Sequence, residues 1–173
     1  DAVIDNSGYV PRMVGASARL LADNVGQYLF VSTICQYEDW IEGGTFGTEE
    51  RPRAVLEDPA TEDVSQHYCA LKAYCERAVD EAIPERATFV RPGLIVGPLD
   101  KSDRYTYWPV RMAGGGEVLA PGKPGDLTQY IDVRDLARFL VHCAEQRHTG
   151  AFNAICTPRP WGGFLEATRD AVN

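Results

Sequence analysis

Tyr68 and Lys72 bring a phenol and an ammonium into one short segment, Tyr68-Cys69-Ala70-Leu71-Lys72. On a helix that spacing puts both on one face, with Cβ atoms about 6 Å apart. The lysine charge favours the phenolate and draws a phenol down from its ordinary value of about 10, toward the range where it exchanges protons near neutrality. Tyrosine and lysine are common on helix surfaces, so the pair has to be read with its surroundings. Upstream, Ser32 and Thr33 close the run Gln27-Tyr28-Leu29-Phe30-Val31. Hydroxyls at the carboxyl end of a parallel strand face the ligand crevice of an open sheet, where they can hold a substrate oxygen. The same hydroxyls also serve as turn residues bonded to local backbone. A second strand end, Asp5-Asn6-Ser7-Gly8-Tyr9, is a small polar turn that a ligand can approach closely. A third is Arg91-Pro92-Gly93-Leu94-Ile95-Val96-Gly97-Pro98.

The elements that must position these groups are legible as periodicity. Ala2-Val3-Ile4 is a short apolar run, and 10–23 reads as a helix with Met13, Ala16, Leu20 and Leu21 on its apolar side. Strand 27–32 follows, then a polar, glycine-rich loop over 38–59, a helix over 62–82 and a strand over 87–91. Strand, helix, strand, helix, strand is the pattern of parallel βαβ units, because parallel neighbours need a crossover that a helix supplies. Beyond residue 98 the spacing predicts a helix near 105–113, short strands near 117–119 and 129–131, and a helix over 133–146. Asp132 stands at the N-cap of that last helix and Asp135 in its first turn, and both are more naturally cap residues than catalysts. A strand over 151–155 and a helix over 164–172 complete the pattern. Gly114-Gly115-Gly116 follows a helix and precedes a strand, the wrong order for a phosphate cradle, and reads as a loop.

The chain has 173 residues, 45% of them hydrophobic, and a net charge of −8. That suffices for about one domain with a core. A chain this acidic does not neutralise phosphates in bulk, which argues against nucleic acid or an anionic membrane as partner. No stretch approaches the roughly 18 apolar residues of a membrane span, and the start lacks a signal segment, so a cytoplasmic protein is expected. The five cysteines (Cys35, Cys69, Cys75, Cys143, Cys156) are scattered and form no C-x-x-C, which predicts reduced thiols. The three histidines lack metal-ligand spacing, and no metal is expected.

Taken together, Val31-Ser32-Thr33, Tyr68 to Lys72, Val90 to Pro98 and Gln129-Tyr130-Ile131-Asp132-Val133-Arg134-Asp135-Leu136-Ala137 resemble, in order and spacing, the extended short-chain dehydrogenase/reductases of the NAD-dependent epimerase/dehydratase type. The wording at 5–9 and 91–98 is similar to a bacterial subgroup labelled epimerase or isoflavone-reductase-like. The resemblance implies an α/β fold: a partial Rossmann-like, doubly wound parallel sheet with small C-terminal substrate-side elements. It forms a single partial domain in which 1–98 is the catalytic half and 99–173 supplies the substrate side interleaved with it. It further implies NAD or NADP as cofactor, a small-molecule substrate, and admits a homodimer. Tyr68 would be the general acid/base, Lys72 would lower its pKa and bond the nicotinamide ribose, and Thr33, with Ser32 as a substitute, would hydrogen-bond the reacting oxygen. Pro92, Gly93 and Leu94 would line the nicotinamide, and Asn6, Ser7 and Gly8 would border the cofactor cleft. Arg104, Tyr105 and Trp108 fall where the family's substrate loop lies, although they also read as a surface loop with one packed tryptophan.

The chain departs from the family in two places. It holds no G-x-x-G-x-x-G turn, the segment whose backbone binds the cofactor pyrophosphate, so Ala2 to Asp5 would be the fourth strand of the family's sheet and a fragment is expected. It also carries Leu127, Thr128, Gln129 and Tyr130 where nucleotide-sugar enzymes of the family place a phosphate-binding arginine. The activity implied is an NAD(P)-dependent oxidoreductase or epimerase. The alternatives are a catalytically inactive cofactor-sensing or binding scaffold, and an incomplete chain without activity of its own.

Overall fold

The structure is a computed structural model that describes residues 1–38 and 47–172. The centre of the loop expected over 38–59 therefore lies outside the described residues. In chain order the elements are β1 (Ala2–Asp5), α1 (Pro11–Leu21), β2 (Gln27–Val31), α2 (Val64–Ala82), β3 (Ala87–Pro92), β4 (Leu94–Val96), α3 (Tyr107–Ala113), β5 (Leu127–Thr128), β6 (Tyr130–Asp132), α4 (Val133–Gln146), β7 (Gly150–Ala154), β8 (Arg159–Pro160) and α5 (Trp161–Val172). They fall into two compact units, Asp1–Gly93 with Asp135–Ala154, and Leu94–Arg134 with Ile155–Asn173.

The first unit is built on a sheet in the order β1-β2-β3-β7. Every pair in it is parallel, as the βαβ pattern predicts. Alternation along β2 and β3 explains why both read as continuous apolar runs. Tyr28, Phe30, Ala87 and Phe89 enter a core with Val14 and Ala18 of α1 and Cys75 and Val79 of α2. On the alternate positions the Gln27 amide donates to Thr88 Oγ1 and to the carbonyls of Cys143 and His148, so that face is covered too. A strand covered on both faces has no polar side to display.

Two expectations fail for physical reasons. Met13, Ala16 and Leu20 do not form the buried side of α1: Met13 is 62% and Leu20 77% exposed, while Val14, Gly15 and Ala18 are buried. The helix packs on α2 so closely that a Cβ added at Gly15 would lie 3.3 Å from Ala78 Cβ. The contact selects small residues over large apolar ones. Nor is 117–119 a strand. The Arg111 guanidinium donates to the carbonyls of Gly115 and Glu117, holding that backbone from a side chain instead of a ladder. The glycines at 115 and 116 adopt positive φ in this turn, as a loop requires.

Within the first unit a buried ion pair ties α2 to β3. Both Arg91 side-chain contacts to Glu76 are short, Nε to Oε1 at 3.0 Å and Nη2 to Oε2 at 2.7 Å. Gln36 also donates to Glu76, and Arg53 reaches it at 3.2 Å. The Arg91 guanidinium continues to the Tyr37 hydroxyl at 2.9 Å, and Tyr37 donates to Asn153 Oδ1 at 2.6 Å. One carboxylate thus fixes the chain just beyond β2 against both α2 and the β3–β7 edge. In the second unit β4 runs parallel to β6 and β5 antiparallel to β8. Asp132 accepts from the Arg134 amide at 2.8 Å, the cap expected of it, and Asp135 pairs with Arg138.

Glu76→Gln leaves Arg91 buried without a full counter-charge, and urea unfolding is expected to show a loss of about 3–5 kcal/mol. Leu20→Ser, at an exposed site, is expected within about 0.5 kcal/mol of the parent. A Leu20→Ser loss as large as that of Glu76→Gln would contradict the burial pattern of α1.

Candidate active site

The site grows from the carboxyl ends of β1 and β2. At the end of β1, Asp5 turns the chain by accepting the Ser7 amide at 3.0 Å, and its other oxygen accepts the Tyr28 hydroxyl at 2.8 Å. Burial pushes the Tyr28 phenol up to about 12, so it stays a donor to Asp5. Asn6 and Ser7 remain exposed on the turn. Gly8 follows with no room for a side chain: a Cβ there would lie 2.4 Å from Val14 Cγ2 and 2.8 Å from the Phe30 ring. Its glycine identity serves this internal approach.

Lys72 closes the arrangement from α2. Its Nζ donates to the Gly8 carbonyl at 2.7 Å and to the Val31 carbonyl at 2.7 Å, joining the ends of β1 and β2. It lies 4.1 Å from the centroid of the Phe30 ring and 5.4 Å from that of Tyr9. The side chain is only 3% exposed, and burial pulls its pKa down to about 8 against the opposing fields of Cys75, Asp5 and Glu76. An ammonium has three protons to donate, and these two carbonyls take two of them.

Asp63 caps the start of α2, accepting from the amides of Ser65 at 2.9 Å and Gln66 at 3.3 Å. The helix then kinks at His67, whose φ of −124° and ψ of 21° are not helical, and its regular run proceeds from Tyr68. Tyr68 is 36% exposed, with its ring 6.1 Å from that of Tyr9. At the end of β2, Thr33 Oγ1 accepts the Cys35 amide at 3.2 Å and so caps the short 3-10 turn Ile34–Gln36. Acting there as acceptor, it keeps its own proton to donate. Ser32 is buried, and its Oγ has no hydrogen-bond partner among the described residues.

The cysteine expectation needs correction. Cys35 and Cys69 form a disulfide with Cα atoms 5.3 Å apart, whereas Cys75, Cys143 and Cys156 are free. The partners are 34 positions apart in the chain and are brought together by the crossover from β2 to α2, a proximity that spacing alone does not display. The bridge joins the residue two places after Thr33 to the residue next to Tyr68. Tyr9 and this bridge are the parts of the site that sequence reading missed. The signal for both was adjacency, Tyr9 to the Asn6-Ser7-Gly8 turn and the cysteines to Thr33 and Tyr68.

The structure brings Ser32, Thr33, Gly8, Tyr68 and Lys72 together in the first unit, linked through the contacts above. Pro92 is there too, paired with Ala154 at the end of β3, and the Gly93 amide donates to the Ala154 carbonyl at 3.4 Å. Leu94 opens β4 in the second unit. Of the residues expected on the substrate side, Tyr105 lines a cavity of about 560 Å³ with Tyr130, Arg159 and Phe164 in that unit. Burial raises the Tyr105 phenol above its ordinary range. Trp108 packs edge-on to Trp161 at 4.9 Å, in an aromatic cluster that reaches Tyr105 through Phe164. Arg104 is not in the cavity wall. Its Nε donates to Ser102 Oγ at 3.0 Å within an exposed turn.

The arrangement offers a lysine ammonium beside strand-end carbonyls, a half-exposed phenol one helical turn away, and two hydroxyls at the end of β2. Among solved structures, dTDP-4-dehydrorhamnose reductase from Yersinia enterocolitica superposes with a TM-score of 0.69 at 15% identity, covering 100% of this chain and 63% of that one. WbmG from Bordetella bronchiseptica, in complex with NAD and UDP, gives 0.70 at 14%, covering 99% and 56%. UDP-N-acetylglucosamine 4-epimerase from Bacillus cereus gives 0.69 at 15%, covering 99% and 62%. The chain thus spans about three-fifths of the length of these structures, and at such identities the likeness is one of fold. No curated protein matches the chain. Residues 2–154 match the family model described as NAD dependent epimerase/dehydratase. A match over that much of the sequence, on a parallel sheet with the Tyr-Lys helix against its strand ends, makes the chain a member of the NAD dependent epimerase/dehydratase family.

Proposed function

We propose that this chain carries the catalytic half of an NAD(P)-dependent oxidoreductase or epimerase acting at a hydroxyl- or carbonyl-bearing carbon of a small molecule. The observation that carries the reading is Lys72: buried, hydrogen-bonded to the strand-end carbonyls of Gly8 and Val31, and four residues from the half-exposed Tyr68. The residues present suit the nicotinamide end of a dinucleotide. Lys72 retains one N–H for a ribose hydroxyl, and the Ser32 hydroxyl is buried with its hydrogen-bonding capacity unused among the described residues. The exposed Asn6-Ser7 turn and the Pro92-Gly93 backbone would border the same cofactor.

In this reading Tyr68 moves a proton to or from the substrate oxygen, and Thr33 donates its free proton to that oxygen in a hydrogen bond. Lys72 supplies the positive charge that favours the Tyr68 phenolate. When bound, the nicotinamide supplies or accepts the hydride. NAD and NADP both remain in the proposal, as does the isoflavone-reductase-like subgroup. Segment 127–130 holds no arginine of its own; Thr128 pairs with Arg159 across the β5–β8 ladder, and Gln129 donates to the Cys156 carbonyl at 2.9 Å. We further propose a cytoplasmic location, and no helix among the described residues is long and apolar enough to cross a membrane.

Two results are expected of the full-length protein assayed for NADH or NADPH oxidation with a panel of ketones and keto sugars. Tyr68→Phe lowers kcat about 10²–10⁴-fold while dinucleotide binding persists; unchanged turnover would remove Tyr68 from the mechanism. The second concerns pH. The Lys72 ammonium is present below its pKa of about 8 and lost above it. The profile of kcat/KM, which reports free-enzyme groups, is therefore expected to fall as pH rises through about 8, and Lys72→Met is expected to lack that limb. A wild-type profile flat to pH 10 would contradict the role given to the charge.

A further inference from the structure

The disulfide between Cys35 and Cys69 is placed where a covalent link has a consequence for the site. Cys35 belongs to the turn that Thr33 caps, and its own amide is the donor to Thr33 Oγ1 at 3.2 Å. Cys69 follows Tyr68 immediately, just beyond the kink at His67. The bridge is a covalent cross-link, beside the backbone itself, between the end of β2 and the start of the regular run of α2. Lys72, one turn further along, is fixed separately by its carbonyl contacts. Both bridge cysteines are only partly buried, whereas Cys75 and Cys143 are buried. The three remaining thiols do not compete for the pairing: none of them is bonded to either bridge sulfur.

We propose that Cys35–Cys69 is a dithiol–disulfide exchange site that sets the position of Thr33 relative to Tyr68, with the oxidised form the competent one. The functional half rests on the reading of Tyr68 and Thr33 given above. In the reducing direction, a thiolate of a small dithiol or a dithiol protein attacks one bridge sulfur. The Cys35–Cys69 bond breaks, a mixed disulfide forms, and the other cysteine leaves as thiolate. The second thiolate of the partner then attacks the mixed disulfide and releases the remaining cysteine. Two electrons pass to the cysteine pair, both thiolates take up protons from solvent, and the partner becomes a disulfide. The oxidising direction is the same sequence reversed, with a partner disulfide as oxidant. In the cytoplasmic setting proposed above, a disulfide of this kind is more often transient and redox-sensing than structural. Once the bridge opens, the turn holding Thr33 is tied to α2 by non-covalent contacts such as the hydrogen bond from Gln36 to Glu76. A displacement of about 1 Å between groups that share one reacting oxygen is enough to cost up to 10²-fold in rate.

The test equilibrates the native protein in buffers of reduced and oxidised dithiothreitol, alkylates it with a maleimide, and reads labelled peptides by mass spectrometry. The expected result is that Cys35 and Cys69 gain label together as the buffer becomes reducing, while Cys75 and Cys143 stay unlabelled in the folded protein. Labels on Cys35 and Cys69 that are the same in every buffer overturn the exchange site. Turnover in the same buffers is expected to fall about tenfold on reduction, in kcat with little change in KM for the dinucleotide, and Cys35→Ser is expected to match the reduced protein and ignore dithiothreitol. Equal kcat in both redox states overturns the positioning role. Should no turnover be found in either state, the functional reading above fails. The positioning role is then read from the Tyr68 ring carbon in NMR of tyrosine-labelled protein, assigned with Tyr68→Phe: a resonance and titration midpoint that shift on reduction support it, and unchanged ones overturn it. The wild-type comparison needs no variant to fold.

Discussion

The site depends on one buried ammonium. Lys72 gives up most of its hydration to reach the carbonyls of Gly8 and Val31, and that cost shows in a pKa drawn down to about 8. Two charge-assisted hydrogen bonds and the face of the Phe30 ring offset it. A lysine placed this way joins two strands through their ends, where a parallel sheet leaves carbonyls to be satisfied, and fixes which face of α2 is presented there. Tyr68 is on that face because it is one helical turn from Lys72.

The surrounding packing serves the same constraint. Gly8 brings its carbonyl to Lys72 because nothing larger than hydrogen fits between Val14 and Phe30. Tyr28, kept protonated by burial, steadies Asp5 and with it the turn leading to Gly8. One turn beyond Lys72, Glu76 gathers Arg91, Arg53 and Gln36. Burying a carboxylate and a guanidinium is costly unless their geometry is complete, so the network is better understood as fixing register between α2, β3 and the chain after β2 than as a source of net stability.

Much of this was legible in the sequence and some was not. β2 and β3 announced themselves because a parallel strand covered on both faces must be apolar throughout, and the Tyr68–Lys72 spacing placed both residues on one helix face without any structure. The apolar side of α1 misled, because large side chains at 13 and 20 suggest burial whereas close packing on α2 favours Gly15 and Ala18. The partners of Lys72 were invisible, since they are carbonyls of residues 64 and 41 positions away in the chain. The Cys35–Cys69 bridge was hidden for the same reason: pairing across 34 residues follows from the crossover, and no local pattern encodes it. Of the residues expected on the substrate side, Tyr105 lines a cavity of the second unit, while the local turn that engages Arg104 follows from the Asp100-Lys101-Ser102 geometry.

The central claim is that Lys72 holds two strand ends with two of its protons and keeps the third for a dinucleotide hydroxyl. Its most direct test is a titration of the full-length protein with NADH and with NADPH, followed by nicotinamide fluorescence, in parallel for wild type and Lys72→Met, with circular dichroism confirming that both are folded. A charge-assisted hydrogen bond of about 1.5–3 kcal/mol predicts at least a tenfold weaker Kd in Lys72→Met for whichever dinucleotide the wild type binds. Equal affinity in the two folded proteins would contradict the account.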